Sequence, residues 1–302
     1  MVKFTPQMTI GQFEKLFPND DACKSFLQKS RWPKGVRCPR CDNADVYPVA
    51  NKPFHWQCSK CAKAGGYRFS VLVGSIFENT KVAMRVWFRV IHMMLTSKKG
   101  VSSLQIHRTI GFGSYSTALY VCHRVRAGLV DPDFRKLMGI VEVDETYVGG
   151  KRSNRHKDKR GPRVGKGRGP VSDKMPVVGA VEREGRVVAR VVANAKADTL
   201  TAFVNEAVST KVSLLCTDEW VGYGRLKKQY PHETVDHSKE QYVVGAVHTQ
   251  TIDGFWSLIK RGLVGTFHKV SKKYLPLYVA EFEFRYNNRG NPDIFGAAIG
   301  RC

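Results

Sequence analysis

Apolar positions recur along this chain with two periods. Over residues 248–262, HTQTIDGFWSLIKRG, the residues Ile252, Phe255, Trp256 and Ile259 follow i, i+3, i+4, i+7 spacing and predict a helix with one apolar stripe. Asp253, Ser257 and Lys260 follow the same spacing on another face. Residues 8–30 read as a helical lead-in whose apolar face is Ile10, Phe13, Leu16 and Phe17. Residues 81–129 read as helical in three pieces, VAMRVWFRVIHMML, VSSLQIHRTI and SYSTALYVCHRVRAGL. DTLTAFVNEAV opens on a cap signal at Asp198/Thr199 and reads as a helix, as does YLPLYVAEFEFRYNN. Strand-like alternation marks residues 140–148 and the stretch PVVGAVEREGRVVARVV, a hairpin turning at Glu184-Gly185. VSLLCTDEW is an apolar strand ending in acids. Strands thus mix with helices in an α/β pattern, without internal repeats.

Charge narrows the partner. Lys and Arg number 49 against 26 Asp and Glu, a net charge of +23 over 302 residues. Such an excess favours a polyanion: DNA, RNA or an anionic membrane. No apolar run is long enough to span a bilayer, and MVKFTPQMTIGQFEKLF does not read as a signal peptide. Nucleic acid is therefore the leading partner, although charge alone leaves a ribosomal or structural RNA-binding role open. The densest charge is KRSNRHKDKRGPRVGKGRGP, within a Gly- and Arg/Lys-rich loop at 149–175. Its composition predicts disorder in isolation. Lys151, Arg152, Arg155, Arg160, Arg163, Lys166 and Arg168 suit phosphate contacts, so the expectation is a loop that orders on DNA.

Eight cysteines change the picture again. Four fall in one window as CPRC (Cys38, Cys41) and CSKC (Cys58, Cys61), while Cys23, Cys122, Cys216 and Cys302 are isolated. Each Cys-x2-Cys places two thiolates at one tight turn, and two such turns suit a single tetrahedral Zn²⁺. The intervening DNADVYPVANKPFHWQ has the composition of a small hairpin, which makes the segment a zinc ribbon. Four cysteines close the coordination sphere, so the metal is structural. Arg31, Lys34, Arg37, Arg40, Lys60 and Lys63 surround it and suggest nucleic-acid binding or docking. Without a secretory signal a disulfide framework is not expected, and reduced thiols fit a cytoplasmic protein. Downstream, KKGVSSLQIHRTIGFGSYSTALYVCHRVRAGL gives helix, turn at Gly111–Gly113, and a second helix carrying Tyr115, His123, Arg124 and Arg126. This is the pattern of a helix-turn-helix, or of an ordinary helical hairpin.

Three places carry acids that could work together. In VEVDETY, alternation puts Glu142 and Asp144 on one face and Glu145 on the other. CTDEW puts Asp218 at a strand end, where an acid is costly unless paired or bound to a cation. Asp253 read alone is a solvated acid pairing with Lys260. Two strand acids and one helix acid can also converge on a pair of divalent cations suited to phosphoryl transfer.

Taken in order, these blocks resemble the DDE transposases of bacterial insertion sequences, in the zinc-ribbon group related to ISXO-type and Merlin elements. CPRC…CSKC resembles that family's ribbon, and KKGVSSLQIHRTIG its helical DNA-binding segment. VEVDETYVGGK, LCTDEWVGYGRL, HTQTIDGFWSLIKRG and EFEFRYNNR resemble its catalytic blocks. The resemblance implies a ribonuclease H-like core, a mixed sheet flanked by helices, preceded by a zinc ribbon and a helix-turn-helix-like segment. It implies Asp144, Asp218 and Asp253 as the acids for Mg²⁺ or Mn²⁺, and Lys260 as the downstream basic residue. Glu145 and Glu219 are poorer candidates, because strand geometry turns them away. His248 could reach a scissile phosphate, and Lys260 with Arg261 could hold DNA, as could Arg124 and Arg126. The family usually has Glu at the third position and Asn in some members. Asp253 keeps the charge but is one methylene shorter, so either the helix lies closer to the metals or the site is weakened.

The expected division is a lead-in at 1–30, the ribbon at 31–75, the helical segment at 76–132 and the catalytic domain at 138–295. The implied function is a transposase in the bacterial cytoplasm, associated with the nucleoid. It would bind terminal inverted repeats in double-stranded DNA, cut at the element ends and join the 3′-OH groups to target DNA, as a homodimer or larger oligomer, with no membrane partner. A DNA-binding regulator that has lost catalysis, or a metal-dependent nuclease, are the competing readings.

Overall fold

The computed structural model describes residues 7–61, 66–131, 134–150, 174–218, 221–235 and 248–302. These form two compact units, one of residues up to 130 together with 288–302, the other of 131–287.

The first unit begins with α1 (Ile10–Leu16) and α2 (Asp20–Arg31). Local chemistry starts both: Thr9 and Gln12 form a reciprocal capping box, and the Asn19 side chain accepts the Ala22 amide. A three-stranded antiparallel sheet follows, of β1 (Val46–Pro48), β2 (His55–Cys58) and β3 (Tyr67–Ser70), in that order. Trp56 and Phe69 stack in its small core, and Trp32 meets both edge-on. Then come α3 (Met84–Thr96), α4 (Ser103–Ile110) and α5 (Tyr115–Gly128). The α4–α5 turn is the expected one. Gly111 closes α4 at φ 78°, where glycine carries no Cβ penalty, and the Ser114 hydroxyl caps α5. The C-terminal helix, Ile294–Arg301, belongs to this unit, where Phe295 packs against Phe13, Phe17 and Phe88.

The second unit is built on β4 (Ile140–Val148), β5 (Met175–Glu182), β6 (Val187–Val191), β7 (Leu214–Asp218) and β8 (His232–Val235). Their order is β6-β5-β4-β7-β8, with β4 antiparallel to β5 and parallel to β7. The β5–β6 hairpin turns through Glu184, at φ 58°, and Gly185, as expected. Helix α6 (Ala197–Ala207) and the 3₁₀ helix Val221–Lys228 cover one face, burying Phe203, Val204 and Tyr223 with Val141 and Val143. Helices α7 (Gln250–Gly262) and α8 (Leu275–Asn287) cover the other, burying Trp256, Ile259 and Phe282 with Val177 and Val181. A mixed five-stranded sheet between two helical layers is the expected ribonuclease H-like arrangement. One local expectation is corrected. The α6 cap is not Asp198/Thr199: the helix starts at Ala197, and the Asn194 side chain accepts both the Lys196 amide and the Thr199 hydroxyl.

Two features fix the helices on the α7 side. Gly179 of β5 sits beneath α7, where a Cβ would lie 2.7 Å from the Trp256 ring. At the sheet edge, α8 completes β6 with side chains. Asn287 accepts the Val187 amide and donates to its carbonyl, while Glu283 accepts the Ala189 amide.

Candidate active site and metal centre

The four ribbon cysteines converge. Their Sγ atoms all lie within 4.8 Å of one another, with Cys41–Cys58 at 3.6 Å and Cys61–Cys41 at 3.3 Å. Tetrahedral zinc with bonds of about 2.3 Å needs sulfur–sulfur edges of about 3.8 Å, so this donor set fits Zn²⁺ with little adjustment. The thiols already share protons unequally. A hydrogen bond with Cys41, burial and the neighbouring thiols push Cys61 up to about 12. Burial raises Cys58, but the Cys61 amide and the surrounding thiols outweigh it and bring Cys58 down to about 7. A cation arriving here displaces the remaining protons.

In the second unit Asp144 is the central residue of β4, and Asp218 ends the parallel strand β7. Glu142 pairs with Cys216 in the β4–β7 register. The parallel pairing ends there, and two residues further on in each strand come Asp144 and Asp218, close enough for the Asp218 charge to act on Asp144. Burial, then the charges of Glu145 and Asp218, push the Asp144 carboxyl up to about 7, against the opposing hydrogen bonds of the Glu145 amide and the Trp256 indole. Trp256 Nε1 donates to Asp144 Oδ2 at 2.9 Å. Glu145 points to the opposite face, as alternation requires, and accepts the Tyr223 hydroxyl at 2.7 Å. Burial and the Asp218 charge raise it too, while the Tyr223 bond lowers it. Tyr223 itself is held well above its usual value, first by burial and then by Glu145.

Asp253 lies one turn before Trp256 on α7, so the indole contact brings its turn of helix to Asp144. Its side chain is exposed. Among the described residues the cysteine quartet is the one group of three or more ligand side chains drawn together tightly enough to hold a metal ion. Lys260 and Arg261 are exposed on the same helix, Lys260 two turns beyond Asp253.

Three comparisons bear on this geometry. Residues 136–287 match the model of the ISXO2-like transposase domain, and residues 18–64 match the transposase zinc-ribbon domain. The chain belongs to the ISXO2-like transposase family. A relative described as an uncharacterized protein in transposable element ISH50 of Halobacterium salinarum is 27% identical over 282 residues, covering 90% of this chain and 92% of its own. The likeness to a chain of a simian T-cell lymphotropic virus intasome, solved with the PP2A regulatory subunit B56 gamma, is slight. It has a TM-score of 0.29 and 14% identity, over 60% of this chain and 63% of that one.

Some residues singled out in this transposase stand elsewhere than its sequence suggests. His248 lies beside Glu142, its Nδ1 3.2 Å from Oε1 but outside hydrogen-bond alignment. Arg126 is wholly buried in the first unit and offers no guanidinium to a polyanion outside it. Arg124 donates to the Glu78 carbonyl and the Tyr120 hydroxyl. Lys151, Arg152, Arg155, Arg160, Arg163, Lys166, Arg168 and Glu219 lie outside the described residues. Sequence reasoning passed over Trp256 as mere core and Tyr223 altogether. The signal for Trp256 was its place one turn from Asp253 on the seam with the sheet. Among the described residues, no helix is long and apolar enough to cross a membrane.

Proposed function

We propose that this transposase cuts DNA at the ends of its element and joins the freed 3′-OH groups to target DNA, with Asp144, Asp218 and Asp253 as its metal-binding acids. One observation carries the reading. Asp144, in the middle of β4, lies within reach of the charge of Asp218 at the end of the parallel strand β7, and Asp144 is raised to about 7 by burial and its acidic neighbours. A pair of partly buried carboxylates in this state is short of positive charge, and its hard oxygen donors suit Mg²⁺ or Mn²⁺. When bound, such cations supply Lewis-acid stabilisation to the attacking and leaving oxygens of phosphoryl transfer. The chain's own residues do the rest. Trp256 fixes the Asp144 carboxylate by its indole N–H, and α7 brings Asp253 to the same end of the sheet. Lys260 and Arg261, exposed further along α7, hold phosphates, and the basic loop, the ribbon and the α4–α5 pair with Arg124 supply further contacts to double-stranded DNA. His248 stands beside Glu142, just before α7. Zinc holds the ribbon through Cys38, Cys41, Cys58 and Cys61.

Asp253→Asn tests the assignment. It should leave folding and DNA binding nearly intact while abolishing cleavage and joining of a duplex that carries the element's terminal repeat. Asp253→Glu, which restores the family's usual side chain, should retain or raise activity if the shorter acid is a tolerated variant. A second reading, a DNA-binding regulator without catalysis, is favoured by the exposure of Asp253. On that reading all three aspartates can be changed to Asn without altering DNA binding, and the unaltered protein shows no strand transfer with Mg²⁺ or Mn²⁺.

A further inference from the structure

The Glu142 carboxylate is fully buried, and its bonds run to a helix rather than to solvent. Oε2 accepts the backbone amides of Thr251 and Ile252, at 2.8 and 3.0 Å, and Oε1 accepts the Thr251 hydroxyl at 2.9 Å. The Arg183 guanidinium donates to Oε1 at 2.7 Å and reaches on to the His248 carbonyl at 3.0 Å. Helix α7 has no cap of its own, because the Thr249 side chain makes no capping bond. A helix begins with amides that lack internal partners, and its positive end favours a carboxylate. Here that carboxylate comes from the first half of β4, two residues before Asp144, with Arg183 offsetting its charge.

We propose that Glu142 and Arg183 are positioning residues for the third acid: they clamp the first turn of α7 to β4 and so set where Asp253 stands relative to Asp144. The proposal rests on the triad reading above and adds to it a device that no ligand role for Glu142 would require. Neither residue touches DNA or cation. Asp253 is the residue next to Ile252, so the amide held at 3.0 Å is one peptide unit from the acid whose position matters. Trp256, bonded to Asp144 at 2.9 Å, pins the next turn. With two fixed points on successive turns, both the rotation and the height of α7 over the sheet are determined.

The test uses the full-length protein. In Glu142→Gln the carboxamide keeps the shape but loses the charge that holds Arg183 and the helix end. Amide hydrogen exchange at Thr251 and Ile252 should quicken by at least about tenfold, while β4 and β5 amides keep their protection. On a duplex carrying the terminal repeat, with Mn²⁺, kcat should fall by about tenfold or more with KM for DNA unchanged. Thr251→Val, which removes a single bond, should move both readouts the same way by less, and it carries the test if Glu142→Gln does not fold. Unchanged exchange at Thr251 and Ile252 overturns the clamp. Quickened exchange with undiminished cleavage, where Asp253→Asn is inactive, overturns the positioning role. Cleavage by Asp253→Asn sinks the triad while leaving the exchange result as it is, so the two failures are told apart.

Discussion

Asp144 and its indole partner set the behaviour of this protein at the residue scale. A carboxyl raised from 3.8 to about 7 on folding binds its proton more tightly in the native state than in the unfolded one. Its contribution to stability is therefore fully kept below pH 3.8 and lost as pH rises towards about 7. The gap sets a ceiling of about 4 kcal/mol on that loss. Metal-free protein should unfold more readily at pH 7 than at pH 5, and Asp144→Asn should flatten the dependence, as urea titrations at several pH values would register. Cation binding opposes the same loss, so Mn²⁺ should raise the neutral-pH midpoint of the parent and leave the variant unmoved. At this scale the sequence was legible where a residue's neighbours were its own strand. Alternation sent Glu145 away from Asp144, and its carboxylate does meet Tyr223 on the far side. Alternation could not say that Trp256 would cross from a helix to bond Asp144, because that partner is 112 positions along the chain.

Whole helices and strands show the same division between local and distant causes. Helices whose first turn is capped from within, as by Thr9, Asn19, Ser102 and Ser114, can be read from a few consecutive letters. Two others are capped from across the fold. The Asp20 carboxylate of α2 accepts the Met84 and Arg85 amides that open α3, and Glu142 serves α7. In sequence these acids look like ordinary members of other elements. Seating α7 on the sheet also depends on a missing side chain. Gly179 pairs with Asp144 in the β4–β5 register, directly under Trp256. Gly179→Ala should force the indole aside, cost about 1–3 kcal/mol and reduce cleavage, with thermal denaturation and activity measured on the same preparation. The ribbon makes a complementary case, because its doubled Cys-x2-Cys was legible at once: a metal site depends on spacing that the chain itself carries. One zinc per chain is expected by metal analysis, and Cys38→Ser should abolish it and unfold β1–β3 while leaving the unfolding of residues 131–287 unchanged.

For the molecule as a whole, charge and edges govern how it meets others. The net charge of +23 makes DNA affinity fall steeply with salt. Replacing the Arg and Lys residues of 151–168 with Gln should flatten the slope of log affinity against log salt, as fluorescence anisotropy across a salt series would measure. The overall architecture was legible because its blocks keep their order along the chain. That the C-terminal helix returns to the first unit was not, since an apolar stripe such as Phe295, Ala298 and Ile299 records that a helix is buried but not against what. The stretch EFEFRYNN does more than form a helix. Through Glu283 and Asn287 it imitates, with side chains, a sixth strand beside β6 that no described residue supplies. That border of the sheet cannot then recruit a strand from another molecule. Changing both residues to Ala would bare a ladder of valine and alanine amides, an open edge on which the strands of neighbouring copies could clot.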